Sequence, residues 1–592
     1  MKKELENAIK KAIISLGITN SSITLEHPDD LSHGDYSTNI ALAHSKDLKM
    51  SPRQLSEKIV VELQKTAIPF VSKIEIAGPG FINFFLTADF FSKEVNNIVK
   101  LGKKYGSNNN RAGEKIMVEY TDPNAFKQFH IGHLMSNSVG ETISRVIDFS
   151  GAKVVRACYS GDIGLHVAKA IWGYQKLDAL TPSRTVLDGK GKILIYGEEK
   201  ELLSHDDELK FWGLAYAYGS SEYDGNETAK AEIDELNRKL YSKPDGEIKK
   251  LYDQGREISY KHLNEIYNLL GTKFNVFFYE SEIQARGLGI VKENIGKVFE
   301  ESDGAVIFRG ENYGLHTRVF VNKFGVPTYE AKDLALNIKK FETDKNLTQS
   351  IIVTAHEQSD YFKVMLKALS LINPGVTEKT KHVAHGMLRF STGKMSSRKG
   401  NIITGESMIE DVEEMVTEKI KDRELTDKEK KEIIQKVAVG AIRYSILKQQ
   451  AGSDIIFDFD KSISFEGDSG PYLQYTAVRA KSILEKAKRE GLSIGWLAKL
   501  TGVKNLEETS KLEKMLYRFP EIVERCQKEY SSHYLATYLI ELASEFNSYY
   551  ANHKIVEKGE KRSLYRLELT KSVVMVLENG LHLLGIEVPK RM

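Results

Sequence analysis

A chain of 592 residues, 41% hydrophobic and 28% charged, is long enough for on the order of three or four domains, each with its own core. That composition excludes disordered, collagen-like and membrane-embedded classes, and no stretch approaches the roughly 18 apolar residues that a spanning helix needs. With 84 basic and 82 acidic side chains the formal charge is +2, so any nucleic-acid contact must come from local patches.

In chain order, MKKELENAIKKAIISLGI interleaves Glu4, Glu6, Lys10 and Lys11 with Leu5, Ile9, Ile13 and Ile14. This predicts an amphipathic helix rather than a secretory leader, and with it a cytoplasmic protein that makes no membrane contact. Residues 1–106 read as a small α/β or α+β module. It contains HPDDLSHGDYSTNIAL from His27, and a Gly-Pro-Gly turn running into an apolar strand within IEIAGPGFINFFL from Ile74. The polar cluster SNNNRAG at 107–113 predicts a linker into a second domain, 107–454.

There, IMVEY at 116–120 reads as a buried strand and TDPNAFKQFHIG as a loop. From His133, Val139, Ile143, Val146 and Ile147 recur at helical spacing until Gly151, and VVRACY follows as a second strand. Strand, loop, helix and strand in that order predict a parallel, Rossmann-like sheet. SIIVTA at 350–355 and KHVAHGML at 381–388 read as further strands, separated by a helix carrying Phe362, Met365, Leu366 and Leu369. The charged stretch from about 165 to about 310 reads as a helical insertion. The run TDKEKKEIIQK from Thr426 has the mixed signs of a solvated helix face. Residues 455–592 are nearly all helical in pattern and predict a separate bundle. Cys158 and Cys526 are too few for a disulfide framework or a thiolate zinc site and read as packing residues.

Two short motifs carry chemistry. HIGH, His130 to His133, falls at a loop-to-helix junction after the first strand of the second domain. Free backbone N–H groups there favour a phosphate, Gly132 permits close approach, and the imidazoles can donate to phosphate oxygens. KMSSRKG, Lys394 to Gly400, follows a predicted strand and the turn STG. A basic, Gly-bounded loop of this kind can close on a triphosphate, with Lys394 neutralising charge as pyrophosphate departs. Singly, each has a bland reading: a pair of capping histidines, and a basic surface loop. Together, in this order on a parallel α/β pattern, they resemble a class I aminoacyl-tRNA synthetase.

The resemblance narrows to the arginyl-tRNA synthetases. VEYTDPNAFKQFHIGHL, YSGDIG, YEAKDLAL, HGMLRFSTGKMSSRKGN, SFEGDSGPYLQYTAVRA, FNSYYANHKI and LLGIEVPKRM are similar to that family's segments, in its order. HGDYSTN and GPGFINFFL are similar to its N-terminal module, which contacts tRNA. The resemblance implies an arginine–tRNA ligase that forms arginyl-adenylate from L-arginine and ATP and passes the arginyl group to the 3′ end of tRNA(Arg). By resemblance, Lys127, His130, Gly132 and His133 would bind ATP on one side, with Gly161, Asp162 and Met387. Lys394, Met395, Ser396 and Ser397 would bind it on the other. His130, His133 and Lys394 would be catalytic.

Glu280 and Asp333 would hold the guanidinium, a planar fork of donors that keeps its proton, with Tyr329 one helical turn before Asp333. Asn124 and Gln358 would orient the α-amino and carboxylate groups, and Glu119 would close the strand beside them. Asn83 and Phe85 would touch the tRNA from the N-terminal module, and Arg479, Tyr549 and Tyr550, with Arg525, from the C-terminal bundle. Mg²⁺ is expected on the ATP phosphates without a dedicated cage, tRNA is expected to bind before activation, and a monomer is expected. A pocket of this polarity needs no editing domain, because a wrong ligand strands buried carboxylates.

The chain departs from the family at Ala125, Phe126, Lys127 and Gln128, where relatives carry a Pro-Ala-Lys-Pro-like run that shares only the lysine. It departs again at Ile163 and His166, where relatives have Trp and Gln. A cysteinyl-tRNA synthetase would need zinc-binding cysteines that are absent, and a class I lysyl enzyme would differ in pocket and tail. A small-molecule nucleotidyltransferase would not need the flanking modules. The remaining alternative, an RNA-binding paralogue without activity, leaves the intact His130, His133, Lys394, Glu280 and Asp333 without a purpose.

Overall fold

The computed structural model describes residues 1–19, 21–180, 185–187, 193–195, 205–242, 244–390, 404–492, 505 and 507–592. They form two compact units, each assembled from separate stretches of chain. One comprises Met1–Tyr105, Arg479–Phe519 and Glu541–Leu577; the other comprises Gly106–Val478, Pro520–Ile540 and Glu578–Met592.

In the first unit the helix Lys2–Ser15 buries Leu5, Ile9, Ala12 and Ile13, while Ile14 remains exposed. Three antiparallel strands, β1 (Tyr36–Thr38), β2 (Val71–Ala77) and β3 (Phe81–Leu86), lie in the order β1-β3-β2. β2 turns into β3 through the predicted Gly-Pro-Gly, where Gly78 and Gly80 have φ of 54° and 141°. Pro52–Gln64 begins with Pro at its first turn and a Ser51–Gln54 capping box. The core is completed from far along the chain. Tyr517 lies 5.4–6.0 Å, ring to ring, from His27, Tyr36, Phe90 and Phe91, and its hydroxyl donates to the Asp35 carbonyl at 3.1 Å. Tyr517 thus adds buried aromatic surface to the small N-terminal core from a distant stretch of the chain.

The second unit is built on five parallel strands: β4 (Lys115–Glu119), β5 (Lys153–Ser160), β6 (Val276–Tyr279), β7 (Gln349–Ala355) and β8 (Thr380–His385). Their order is β8-β7-β4-β5-β6, so the chain winds outward in both directions from the β4–β7 pair. This is the doubly wound topology, whose crevice lies between those two strands at their carboxyl ends. Helix α1 (Ile131–Phe149) makes the first crossover.

β6 falls inside the stretch read as a helical insertion and continues directly into α2 (Glu280–Glu293). The insertion itself is helical, with Leu165–Leu180, His205–Gly225, Glu227–Tyr241 and Gly246–Leu269 packed around Val167, Ile171, Phe211, Trp212 and Ile233. Three short antiparallel strands, Glu300–Ser302, Ala305–Phe308 and Arg318–Val321, precede α3 (Tyr329–Thr343). The predicted strand KHVAHGML breaks in two. Gly386 packs so tightly on the Ser453 carbonyl that a Cβ would lie 1.8 Å from it, and Leu388–Phe390 pairs instead with Ile455–Phe457. The Thr426 run opens α4 (Asp427–Leu447), which starts with a Thr426–Glu429 capping box on an exposed face.

Gly140 of α1 lies against Tyr120, and a Cβ there would be 2.2 Å from the ring's Cγ. Gly140→Ala is therefore expected to cost about 1–3 kcal/mol through overpacking. Equilibrium denaturation tests this, and an unchanged midpoint would contradict the packing.

Candidate active site

The loop leaving β4 turns out of the sheet in an unusual way. Thr121 and Asp122 are consecutive non-glycine residues at φ 81° and 47°, and Phe126 follows at 65°. A β-branched residue at positive φ is strained and needs holding. The Thr121 N–H donates to Ser136 Oγ at 3.0 Å, and Thr121 Oγ1 accepts from Asn137 Nδ2 at 3.0 Å, both residues belonging to α1. Asp122 Oδ1 accepts the Tyr159 N–H at 2.8 Å. Ala125 N–H donates to the Gly161 carbonyl at 3.0 Å, so the loops after β4 and β5 are tied together.

His130 caps α1. Its Nδ1 accepts the Gly132 N–H at 3.1 Å, while His133 Nδ1 accepts the His130 N–H at 3.2 Å, a reciprocal box made with imidazoles. A Cβ at Gly132 would sit 2.9 Å from the His130 ring, which is why this position is glycine. The rings stack at 3.4 Å. Burial, and then the charge of Lys127, push the His130 pKa down; burial with the charges of His130 and Lys127 holds His133 well below the ordinary value. Both rings are thus neutral near pH 7. Since each Nδ1 accepts, each Nε2 carries the proton and is a donor.

The same unit holds a cluster of carboxylates, Glu119 and Glu280 buried and Asp122 and Asp333 half-buried. Glu119, at the end of β4, lies 2.9 Å from the fully buried ammonium of Lys340. Glu280, the first residue of α2, accepts from Lys332 at 2.9 Å, and Lys332 also donates to the Tyr241 hydroxyl at 3.3 Å. Asp333 accepts the Tyr361 hydroxyl at 2.5 Å. Among the described residues neither Asp122 nor Asp333 has an ion-pair partner within 4.0 Å. Burial, and then the neighbouring Glu119, push the Asp333 carboxyl up to about 7, and the same two causes hold Asp122 well above the carboxylate range. The pocket is short of positive charge.

Gly161 joins these groups to Asn124, since a Cβ there would lie 2.1 Å from Asn124 Oδ1 and 3.5 Å from Glu280 Oε1. Tyr329 is 58% exposed at the start of α3, with the Lys332 ammonium 5.1 Å from its ring. Gln358 is exposed in the turn His356–Gln358 directly after β7. Asp162 is fully buried and accepts from Ser281 N–H and Oγ at 2.9 and 2.8 Å and from Arg256 Nε at 3.0 Å. It thereby fixes the start of α2 and the placing of Glu280. The half-buried Met387 donates its N–H to Asp454 at 2.9 Å. Half-buried Lys127 has its ammonium 5.4 Å from the Tyr216 ring. KMSSRKG, with Lys394, Met395, Ser396 and Ser397, lies outside the described residues.

Asp122, Lys332, Lys340 and Tyr361 escaped the sequence reading. Lysines in a mixed-charge helical stretch such as YEAKDLALNIKKF read as solvated, and only the packing reveals that these two are buried.

In the other unit, Asn83 is buried and accepts from the Ser37 hydroxyl at 2.7 Å. Phe85 is half-buried, with the Lys73 ammonium 5.1 Å from its ring. Arg479 donates to Asn547 at 2.7 Å. Tyr549 is buried and stacked on His553 at 4.1 Å, whereas Tyr550 is 42% exposed.

Comparison with known proteins is consistent along the whole chain. Residues 94–459 match the family profile "tRNA synthetases class I (R), catalytic domain", residues 473–592 the "DALR anticodon binding domain", and residues 2–86 the "Arginyl tRNA synthetase N terminal domain". An arginine–tRNA ligase of Fusobacterium nucleatum is 31% identical over 94% of this chain and 93% of its own. One of Clostridium perfringens is 28% identical over the full length of both. The fold is similar to that of the Thermus thermophilus arginyl-tRNA synthetase, at TM-score 0.79 and 24% identity over both full chains. It is also similar to that of the Plasmodium falciparum arginyl-tRNA synthetase, at TM-score 0.72 and 21% identity, covering all of this chain and 98% of the other.

His166 stabilises the loop after β5 through Nε2 and the Gly161 carbonyl at 3.1 Å, and burial, then Lys127, push its pKa from 6.5 to about 3. Across that window the unfolded chain binds a proton that the folded chain refuses. Stability should fall as pH falls, by about 1.4 kcal/mol per pH unit from this residue. Unfolding free energies measured from about pH 6 to about pH 4 should lose that much slope in His166→Asn; an unaltered slope would place the titration elsewhere.

Proposed function

We propose a division of labour among these side chains that starts from one premise: the chain belongs to the arginyl-tRNA synthetase family, and it ligates arginine to tRNA at the expense of ATP. The observation that carries the assignment of the site is a pair of half-buried carboxylates with no ion-pair partner among the described residues, Asp122 on the loop after β4 and Asp333 in α3. Glu280 is already neutralised by Lys332, so Asp333 supplies the charge that holds the guanidinium, with Glu280 as a second acceptor and Tyr329 alongside. Asn124 and Gln358 orient the amino and carboxylate ends, and Glu119, through Lys340, sets the floor.

His130 and His133 donate from Nε2 to ATP phosphate oxygens at the start of α1, where the helix end favours anions. Neutral rings suit this task, because they donate without competing for the phosphate as permanent cations. Gly132, Gly161, Asp162 and Met387 shape the nucleotide side. Lys127 and the KMSSRKG residues Lys394, Met395, Ser396 and Ser397 complete the triphosphate site. An oxygen of the arginine carboxylate attacks the α-phosphorus, and the bond to the bridging oxygen breaks as pyrophosphate leaves. A terminal ribose hydroxyl of the tRNA then attacks the acyl carbon and AMP leaves. Neither step uses a protein nucleophile; positioning and charge neutralisation lower the barriers. The carboxylates lining the pocket face lysine, tyrosine and backbone groups, so Mg²⁺ arrives on the ATP phosphates rather than in a cage of its own.

Residues 1–106 contact the tRNA body through Phe85, with the buried Asn83 bracing β3 against β1 through Ser37, residues 107–454 carry the chemistry, and residues 455–592 read the anticodon. There the exposed Tyr550 is better placed to stack on a base than the packed Tyr549, with Arg479 near phosphates. Two buried, unpaired cysteines suit a reducing cytoplasm, and we propose a monomer that takes up tRNA before it activates arginine.

Exchange of labelled pyrophosphate into ATP should require arginine, should not occur with lysine or cysteine, and should depend on tRNA(Arg). Because Asp333 must be ionised to receive arginine, kcat/KM for arginine should fall about tenfold per pH unit below about pH 7. Asp333→Asn should lower kcat/KM by about 100-fold and abolish that limb of the profile. An unchanged profile in the variant would remove Asp333 from the pocket.

A further inference from the structure

The strained turn at Thr121 is held from a distance. Arg443, near the C-terminal end of α4, is fully buried, and its Nη2 donates to the Leu270 carbonyl at 2.8 Å and to Asn137 Oδ1 at 3.1 Å. Its Nε and Nη1 make no hydrogen bond among the described residues. An apolar side chain would fill this space at less cost, so what the guanidinium contributes is direction. A guanidinium can only donate. Together with the Thr272 hydroxyl, which reaches the same Asn137 Oδ1 at 3.0 Å, it forces the amide to present its oxygen to α4. Nδ2 is then left pointing at Thr121 Oγ1, 3.0 Å away.

The far side of the guanidinium is closed by the end of the chain. Gly585 has φ 71°, and a Cβ on it would lie 2.0 Å from Arg443 Nη1. Arg145, one turn along α1 from Glu141, donates to the His582 carbonyl at 2.9 Å and fastens the same segment.

We propose that Arg443 is a positioning residue for arginine, acting through Asn137 on the left-handed Thr121–Asp122 turn that aims Asp122 and Asn124 into the pocket, with the Gly585 segment as its backstop. This rests on the reading that Asn124 and Asp333 bind arginine. The relay predicts that a change at the C-terminal end of the chain alters arginine recognition while leaving ATP recognition alone, because His130 and His133 are held by their own capping box rather than by Thr121.

The test uses the full-length enzyme with tRNA, measuring KM for arginine and for ATP in pyrophosphate exchange. Thr121→Val keeps the shape and deletes the acceptor; it should raise the arginine KM by about tenfold and the ATP KM by less than about twofold, and Thr121→Ser should rescue the arginine KM. Arg443→Met should give the same split. In the double variant the two effects should not multiply, since each breaks the same chain of contacts. If Arg443→Met does not fold, Gly585→Ala takes its place in the cycle, displacing the guanidinium without removing it. Multiplicative effects, or KM values for arginine and ATP that rise together, would overturn the relay. Asn124→Ala and Asp333→Asn are measured in parallel. If they leave the arginine KM unchanged, the pocket assignment falls; if they raise it while Thr121→Val does not, the relay alone falls.

Discussion

The exit of the chain from β4 is the constraint on which the site depends. In a parallel sheet the ligand crevice forms at the carboxyl ends of the two strands where the winding direction reverses, here β4 and β7. A chain leaving β4 must at once clear the crevice, present polar groups to it and start a helix aimed back at it. Thr121 and Asp122 meet this demand by adopting positive φ, a conformation that the β-branched Thr121 strongly disfavours and that Asp122 tolerates better. The energy that holds them comes from Ser136 and Asn137 on the helix that the loop leads into, and from the Tyr159 N–H on the adjacent strand. Loop and helix therefore specify each other.

Charge arranges the rest. Buried carboxylates are costly unless they are paired, and the unit pairs Glu119 with Lys340, Glu280 with Lys332 and Asp162 with Arg256. Asp122 and Asp333 are left to burial and each other's neighbours, which raises both of their pKa values. A permanent cation entering this space relieves that penalty, whereas an uncharged amino acid leaves it standing. The nucleotide side is opposite in character, with neutral donors at a helix start and Lys127 beside them. The proposed arginine and nucleotide sides thus differ in character, one rich in carboxylates and the other in neutral donors.

Both compact units are stitched from chain segments far apart in sequence. Tyr517 completes the aromatic core of the N-terminal strands, and the last residues of the chain close over Arg443 in the catalytic unit. Segments that a linear reading assigns to one helical tail serve two different cores. The reason is geometric: a small sheet with one apolar face and a buried guanidinium each need a cover, and the helical tail supplies both.

The sequence by itself determined what depends on local pattern. The hydrophobic periods around IMVEY, VVRACY, SIIVTA and the first half of KHVAHGML reveal four of the five core strands, the HIGH junction lies at the start of α1, and the resemblance of whole segments identifies the family. Tertiary structure alone decided the rest. The short strand Val276–Tyr279 is too brief to stand out within a charged stretch, and KHVAHGML divides at Gly386 because Ser453 lies against it. Asn124 meets Glu280 across 156 residues of chain (280 − 124), with Asp333 following 53 residues later (333 − 280), and the lysines that neutralise the acidic cluster look like surface residues until their burial is seen. Period and motif are properties of a few neighbouring residues, whereas burial, charge balance and the strain at Thr121 arise only when distant segments occupy the same space.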